Sequence, residues 1–185
     1  MWSTRGVDER HGGFYEALDF DANPLMKPKR MRTMARQVYA FAVAKARGWN
    51  GPAESLIAHG IAFMASKGRT DRGGWVRTLN VDGSVADPAE DAYDHSCVLL
   101  ALAHAHMGGN PDALALGEQT FAFLDAHLED SRMTGFLETL DGESERRSNP
   151  HMHLREAFMA WYDATGDRTY LRRAARVVDL FRSHF

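Results

Sequence analysis

Apolar positions along this chain switch repeatedly between two periods. Helical spacing covers residues 31–46 and 53–66, then 89–107 and 112–127, then 151–165 and 169–184. The first member of each pair is the more uniformly apolar. Val38-Tyr39-Ala40-Phe41-Ala42-Val43-Ala44 and Cys97-Val98-Leu99-Leu100-Ala101-Leu102-Ala103 leave no broad polar face, which marks helices covered on most sides. The second members are amphipathic, as in Arg172-Arg173-Ala174-Ala175-Arg176-Val177-Val178-Asp179-Leu180-Phe181. This asymmetry predicts inner helices wrapped by outer ones. Pro52, Pro88, Pro111 and Pro150 fall at expected helix starts, where a missing N–H costs nothing, and Gly51, Asp87, Asn110 and Asn149 precede them as N-caps. Gly48, Gly108 and Gly166 stand where the first helices should stop.

Between the pairs lies a repeated segment. Gly13-Phe14-Tyr15-Glu16-Ala17-Leu18-Asp19, Gly74-Trp75-Val76-Arg77-Thr78-Leu79-Asn80 and Gly135-Phe136-Leu137-Glu138-Thr139-Leu140-Asp141 share glycine, aromatic, leucine and Asp/Asn at fixed offsets, and their glycines are 61 residues apart both times. Alternation within each segment fits a short extended stretch, and turn formers follow at 21–24, 82–84 and 141–144. The unit is therefore loop, helix, short turn, helix, repeated three times over 1–185 as one domain. The expected fold is all-α: an (α/α) toroid of helical hairpins, three of the six of an (α/α)6 barrel, with short β-like loops. A fourth loop is due near position 196, so the sequence is expected to stop at a repeat boundary, short of a closed barrel.

Composition narrows the partners. A formal net charge of -3, with lysine and arginine spread along 185 residues, gives no electrostatic footprint for nucleic acid or an anionic membrane. No apolar run reaches the ~18–20 residues of a membrane span, and the first residues lack the apolar core of a signal peptide. Cys97 is the one cysteine and sits in an apolar run, as a buried structural thiol would. A reducing cytoplasm fits these features.

Candidate chemistry concentrates where loops meet inner-helix N-termini. In Asn149-Pro150-His151-Met152-His153-Leu154-Arg155-Glu156, Asn149 and His153 are four apart and His153 and Glu156 three apart, so each pair shares a helix face. Within Asp91-Ala92-Tyr93-Asp94-His95, Tyr93 offers a ring face for sugar C–H groups and a hydroxyl for hydrogen bonding. Arg36, in the otherwise apolar Met34-Ala35-Arg36-Gln37-Val38-Tyr39, needs either a buried partner or a wet cavity. Each also has a plainer reading: Asn149 as a cap, the histidines as surface residues, Tyr93 as ring wall, Arg36 in an ion pair. His104 and His106 read as structural. No His-x-x-x-His or Cys-x-x-Cys spacing suggests a metal site, and no Walker or dinucleotide fingerprint suggests a nucleotide.

Taken together, Ala35-Arg36-Gln37-Val38-Tyr39-x-Phe41, Tyr93-Asp94-His95-Ser96 and Asn149-Pro150-His151-Met152-His153-Leu154-Arg155-Glu156-Ala157 resemble the N-acylglucosamine 2-epimerase family, which includes mannose isomerase, sulfoquinovose isomerase and cellobiose 2-epimerase. The resemblance runs along essentially the whole chain. It implies an (α/α)6 barrel with a monosaccharide in the central cavity and no cofactor or metal. It implies substrate contacts at Arg36, Tyr93, Asn149 and His153, with Arg36 and His153 polarising the substrate. It also implies members about twice this length, whose principal acid–base pair is two further histidines in the second half. The expected reaction is aldose–ketose isomerisation of an unphosphorylated, mannose-type sugar through an enediolate, with 2-epimerisation of an N-acylglucosamine or cellobiose as the alternative. The complement of the chain is expected to be a separate C-terminal half or a second copy. Two other classes remain open: a non-catalytic helical-repeat binding module, and a glycoside hydrolase or lyase drawing on Asp91, Asp94 and Glu156.

Overall fold

The structure is a computed structural model and describes residues 1–130, 135–140 and 146–184. Among them the chain forms three helical hairpins: α1 (Met31–Ala46) with α2 (Ala53–Lys67), α3 (Ala92–Met107) with α4 (Ala113–Phe123), and α5 (Ser148–Thr165) with α6 (Arg168–His184). A π-helical turn, Leu124–Leu128, extends α4. α3 packs between α1 and α5, and α2, α4 and α6 each pack on the helix that precedes them. The expected inner and outer layers are thus present. α3, flanked on both sides, buries Ala92, Val98, Leu99, Ala101, Leu102 and Ala103 completely.

The loops repeat in three dimensions as they do in sequence. In each, a backbone N–H reaches back to the motif glycine's carbonyl: Asp8 to Gly13, Thr70 to Gly74, Asp130 to Gly135, all at 3.0–3.1 Å. The following aromatic forms an antiparallel bridge, Phe14 with Val7, Trp75 with Arg69, Phe136 with Glu129, and is buried. Its N–H is then accepted by an inner-helix side chain: Phe14 by Met34 Sδ, Trp75 by His95 Nε2, Phe136 by His151 Nε2. Met34, His95 and His151 are therefore equivalent positions. The β-like loops appear as β1 (Ala17–Leu18) paired with β2 (Pro24–Leu25), and as an antiparallel sheet β3 (Lys29–Arg30), β4 (Thr78–Leu79), β5 (Val85–Asp87). The second and third loops also cross the preceding inner helix's start, since Arg77 O accepts from Met31 N and Glu138 O from Ala92 N.

Helix boundaries depart from the sequence expectation in instructive ways. α3 starts at Ala92, not 89, because Asp87 belongs to β5 and the cap is Asp91, whose carboxylate accepts from Asp94 N at 2.7 Å. Asp87 and Pro88 are therefore not its cap and first residue. Asn110 accepts from Asp112 N in a turn before α4, and Pro52 rather than Gly51 precedes α2. α5 begins at Ser148, so Asn149 lies in the first turn rather than capping it. Gly48 and Gly166 end α1 and α5 with positive φ, whereas after α3 the left-handed residue is Gly109, not Gly108. The turn expected at 141–144 lies outside the described residues.

Gly117 on α4 illustrates the packing tolerance. A Cβ there would come within 2.1 Å of the Trp161 ring. Gly117→Ala is expected to destabilise the chain by ~1–3 kcal/mol through overpacking, despite alanine's better helix propensity. A urea midpoint that rises would contradict this.

Candidate functional site

The N-terminal turns of α1, α3 and α5 lie at the same end of the helix row. Arg32, Tyr93 and Asn149, each two residues before the equivalent Met34, His95 and His151, line one cavity of about 400 Å³ together with Arg77, Asp91 and Glu138. Arg36 and His153, each two residues after, flank it. Arg36 Nη2 donates to Tyr93 Oη at 2.5 Å. The Tyr93 ring stands 5.1 Å from that of His153, whose Nδ1 lies 3.1 Å from Glu156 Oε2. Three helices thus bring together all four residues expected from the sequence, with Tyr93 at the centre.

Their surroundings differ in exposure and in charge. Arg36 is exposed and has no carboxylate in ion-pair range among the described residues, so it faces a wet space rather than a buried partner. It also borders a groove along the outer flank of α1. The buried ion pair belongs instead to Arg32, four residues earlier: its Nε is 2.7 Å from Asp94 Oδ1, and its guanidinium lies 5.0 Å from the Tyr93 ring centroid. The guanidinium of Arg36, which donates to the Tyr93 hydroxyl, lies 5.5 Å from the same centroid. Such contacts contribute ~0.5–2 kcal/mol each. Arg32 was not legible as a site residue because its partner is 62 positions away; the only sequence signal was its one-turn spacing from Arg36.

Two carboxylates beneath the cavity are driven apart. Burial alone would raise the pKa of Asp91, but hydrogen bonds from Asp94 N–H and Arg77, with the charges of Arg32 and Arg77, outweigh it and hold the group below its usual range. Asp94 is pushed up to about 7 by burial and by the charge of Asp91, against the pull of Arg32. Arg77 is itself divided between Asp91 at 2.8 Å and Asp87 at 3.0 Å. Arg32 and Arg77 are thereby paired with carboxylates, while Arg147 also lines the cavity. Burial pushes the Cys97 thiol up to about 11, as suits a structural residue. His95 and His151 are buried and hold loop backbone, so their roles are structural. His104, its pKa lowered by burial, packs edge-on against Tyr39. No group of three or more His, Cys, Asp or Glu that could hold a metal exists among the described residues, and none of their helices is long and apolar enough to cross a membrane.

Residues 13–185 match the family described as N-acylglucosamine 2-epimerase (GlcNAc 2-epimerase). The chain belongs to that family. Among curated relatives, a D-mannose isomerase from Thermobifida fusca is 36% identical over 152 residues, 79% of this chain and 37% of the relative. A mannose-6-phosphate isomerase from Rhizobium meliloti (strain 1021) is 32% identical over 175 residues, 90% of this chain and 43% of the relative. The solved cellobiose 2-epimerase of Spirochaeta thermophila DSM 6192 superposes with a TM-score of 0.88 at 23% identity, covering 97% of this chain and 49% of that one. The chain thus spans less than half the length of these curated relatives, and its three hairpins are an arc of the (α/α)6 barrel expected from the repeat. Members of this family include sugar isomerases and epimerases.

Proposed function

We propose that this chain contributes the sugar-holding wall of an aldose–ketose isomerase site acting on an unphosphorylated, mannose-type monosaccharide. The observation that carries this reading is the Arg36–Tyr93 hydrogen bond with the His153 ring packed against Tyr93, drawn from three inner helices. Tyr93 presents a ring face to sugar C–H groups, Asn149 offers an amide to hydroxyls, and Arg36 brings an unneutralised positive charge. Moving the carbonyl between C1 and C2 needs a proton removed beside it and the enediolate oxygens stabilised. Arg36 and His153 supply donors for those oxygens, and the His153 imidazole is the group that can exchange the proton. Relatives named as D-mannose isomerases support isomerisation over 2-epimerisation.

An unphosphorylated substrate is favoured because Arg32 and Arg77 are already tied to Asp94, Asp91 and Asp87; Arg36 and Arg147 are the cations by which a phosphate would bind instead. Calorimetric titration tests this. D-mannose is expected to bind, D-mannose 6-phosphate no more tightly, and Arg36→Ala to weaken binding roughly tenfold to a hundredfold, the loss of a charged hydrogen bond worth ~1.5–3 kcal/mol. Failure of every aldose and ketose to bind would overturn the reading, and tighter binding of the phosphate would overturn its substrate. Tyr93→Phe, which removes one hydroxyl, is expected to cost ~1 kcal/mol, about fivefold in affinity; unchanged affinity would remove Tyr93 Oη from the site.

A further inference from the structure

Asp94 is fully buried in the first turn of α3, where the hairpin repeat does not require a carboxylate. Because Met34, His95 and His151 are equivalent, so are the residues just before them, Thr33, Asp94 and Pro150. The first and third repeats therefore build the same helix start with an uncharged residue. Asp94 is not the cap of α3 either, since that role belongs to Asp91. Burying a carboxylate costs free energy that an ion-pair partner often only offsets. The helix start alone does not account for Asp94.

Its contacts do. Arg32 Nη2 donates to Asp94 Oδ2 at 3.2 Å, and Arg32 Nε lies 2.7 Å from Asp94 Oδ1. The same guanidinium lies over the Tyr93 ring, 5.0 Å from its centroid, while the Tyr93 hydroxyl accepts from Arg36. Asp94, Arg32, Tyr93 and Arg36 thus touch in series, alternating between α3 and α1. Without the Asp94 charge, Arg32 is left with Asp91, whose Oδ2 is 3.8 Å away and already takes Arg77 Nε at 2.8 Å. Arg32 would then be drawn toward Asp91 and lose its seat on the ring.

We propose that Asp94 is a positioning residue of the sugar site: it holds Arg32 on the Tyr93 ring and so fixes the hydroxyl that Arg36 engages. The proposal deepens the function proposed above and rests on it. Burial and the charge of Asp91 push Asp94 up to about 7, so the tether forms as pH rises through neutrality and is lost as pH falls below it. Facing this carboxylate are Arg32 from α1 and Asp91 and Cys97 from α3; the Cys97 thiol, at about 11, does not titrate in this range. Arg36 from α1 and His153 from α5 reach Tyr93, and Arg77, Glu138 and Arg147 line the cavity. Glu138 and His153 are titratable too, so Asp94→Asn is needed to isolate the contribution of Asp94.

Side-chain NMR of Tyr93 and calorimetric titration with D-mannose test this on the 185-residue chain. The Tyr93 ring signals are expected to shift with a midpoint near pH 7 and to lose that inflection in Asp94→Asn, a near-isosteric change that removes the charge. Affinity for D-mannose is expected to be about tenfold lower at pH 6 than at pH 8, the ratio of ionised Asp94 at the two values. Asp94→Asn is expected to bind about tenfold more weakly than wild type at pH 8, with that dependence removed. Arg32→Met is expected to weaken binding alike, and Asp94→Asn to add nothing on top of it. Tyr93 signals indifferent to Asp94→Asn, or the same loss of affinity from Asp94→Asn with and without Arg32, overturn the proposal. Tyr93 signals that follow Asp94 in a chain that binds no sugar would overturn the proposed function and leave the tether standing.

Discussion

Replacing Trp161 with alanine is expected to lower the stability of the chain by ~3–5 kcal/mol, the range for emptying a large aromatic from a core. Trp161 is fully buried on α5. Its Nε1–H donates to Leu99 O at 2.8 Å on α3. Its ring meets Phe121 edge-on at 5.4 Å on α4 and Tyr170 at 5.9 Å on α6, and it rests on Gly117, which has no side chain to fill the void. One side chain therefore joins four helices across the boundary between the second and third hairpins. Relaxation cannot close a cavity shared by four elements without moving one of them. Urea unfolding followed by circular dichroism measures the loss. A change below about 1 kcal/mol would mean that the third hairpin is not docked as described.

The second large effect is on acid stability. His95 is buried and accepts the Trp75 N–H at Nε2, so its proton is on Nδ1, donated to Asp91 O at 2.7 Å. Both nitrogens are committed to a neutral ring, and burial pushes the pKa down to about 4 from 6.5. The unfolded chain takes up a proton near pH 6.5 that the folded chain refuses until about pH 4. The stability this contributes is therefore complete above 6.5 and is lost as pH falls toward 4, by about 3 kcal/mol in total. His151, lowered by burial in the same way, acts in the same direction. Asp94, raised to about 7, acts in the opposite one, losing its contribution as pH rises from the ordinary carboxylate range to about 7. A single wild-type curve mixes these groups, and His95→Met separates them. The first repeat already holds its loop with Met34 Sδ in the equivalent place, so methionine can take the position without a titrating ring. The variant is expected to lose markedly less stability than wild type between about pH 7 and pH 4. Identical acid slopes would show that His95 does not stay neutral in the folded chain.

These two residues also show where sequence reading succeeds and where it stops. Glycines 61 apart expose the hairpin repeat because each must sit at a tight loop under a bulky neighbour; Gly13 and Gly135 have positive φ, and a Cβ on Gly74 would strike Phe123. The equivalence of Met34, His95 and His151 is hidden because the third loop reaches its helix five residues sooner than the first two. Helix starts were misplaced where proline signalled a beginning but a tertiary contact decided it, as when β5 claims Asp87. Arg36, Tyr93, Asn149 and His153 stood out because polar groups at inner-helix starts need a reason to be there. Arg32, Arg77 and Asp91, which line the same cavity, are joined only by the fold.

The central claim is that Arg36, Tyr93, Asn149 and His153 form one monosaccharide site. Side-chain and backbone chemical-shift mapping by NMR during titration with D-mannose addresses it most directly. Shifts concentrated on those four residues and on Arg32 are expected. Shifts confined to the groove on α1 lined by Trp2 and Trp49, or no shifts at all, would contradict it.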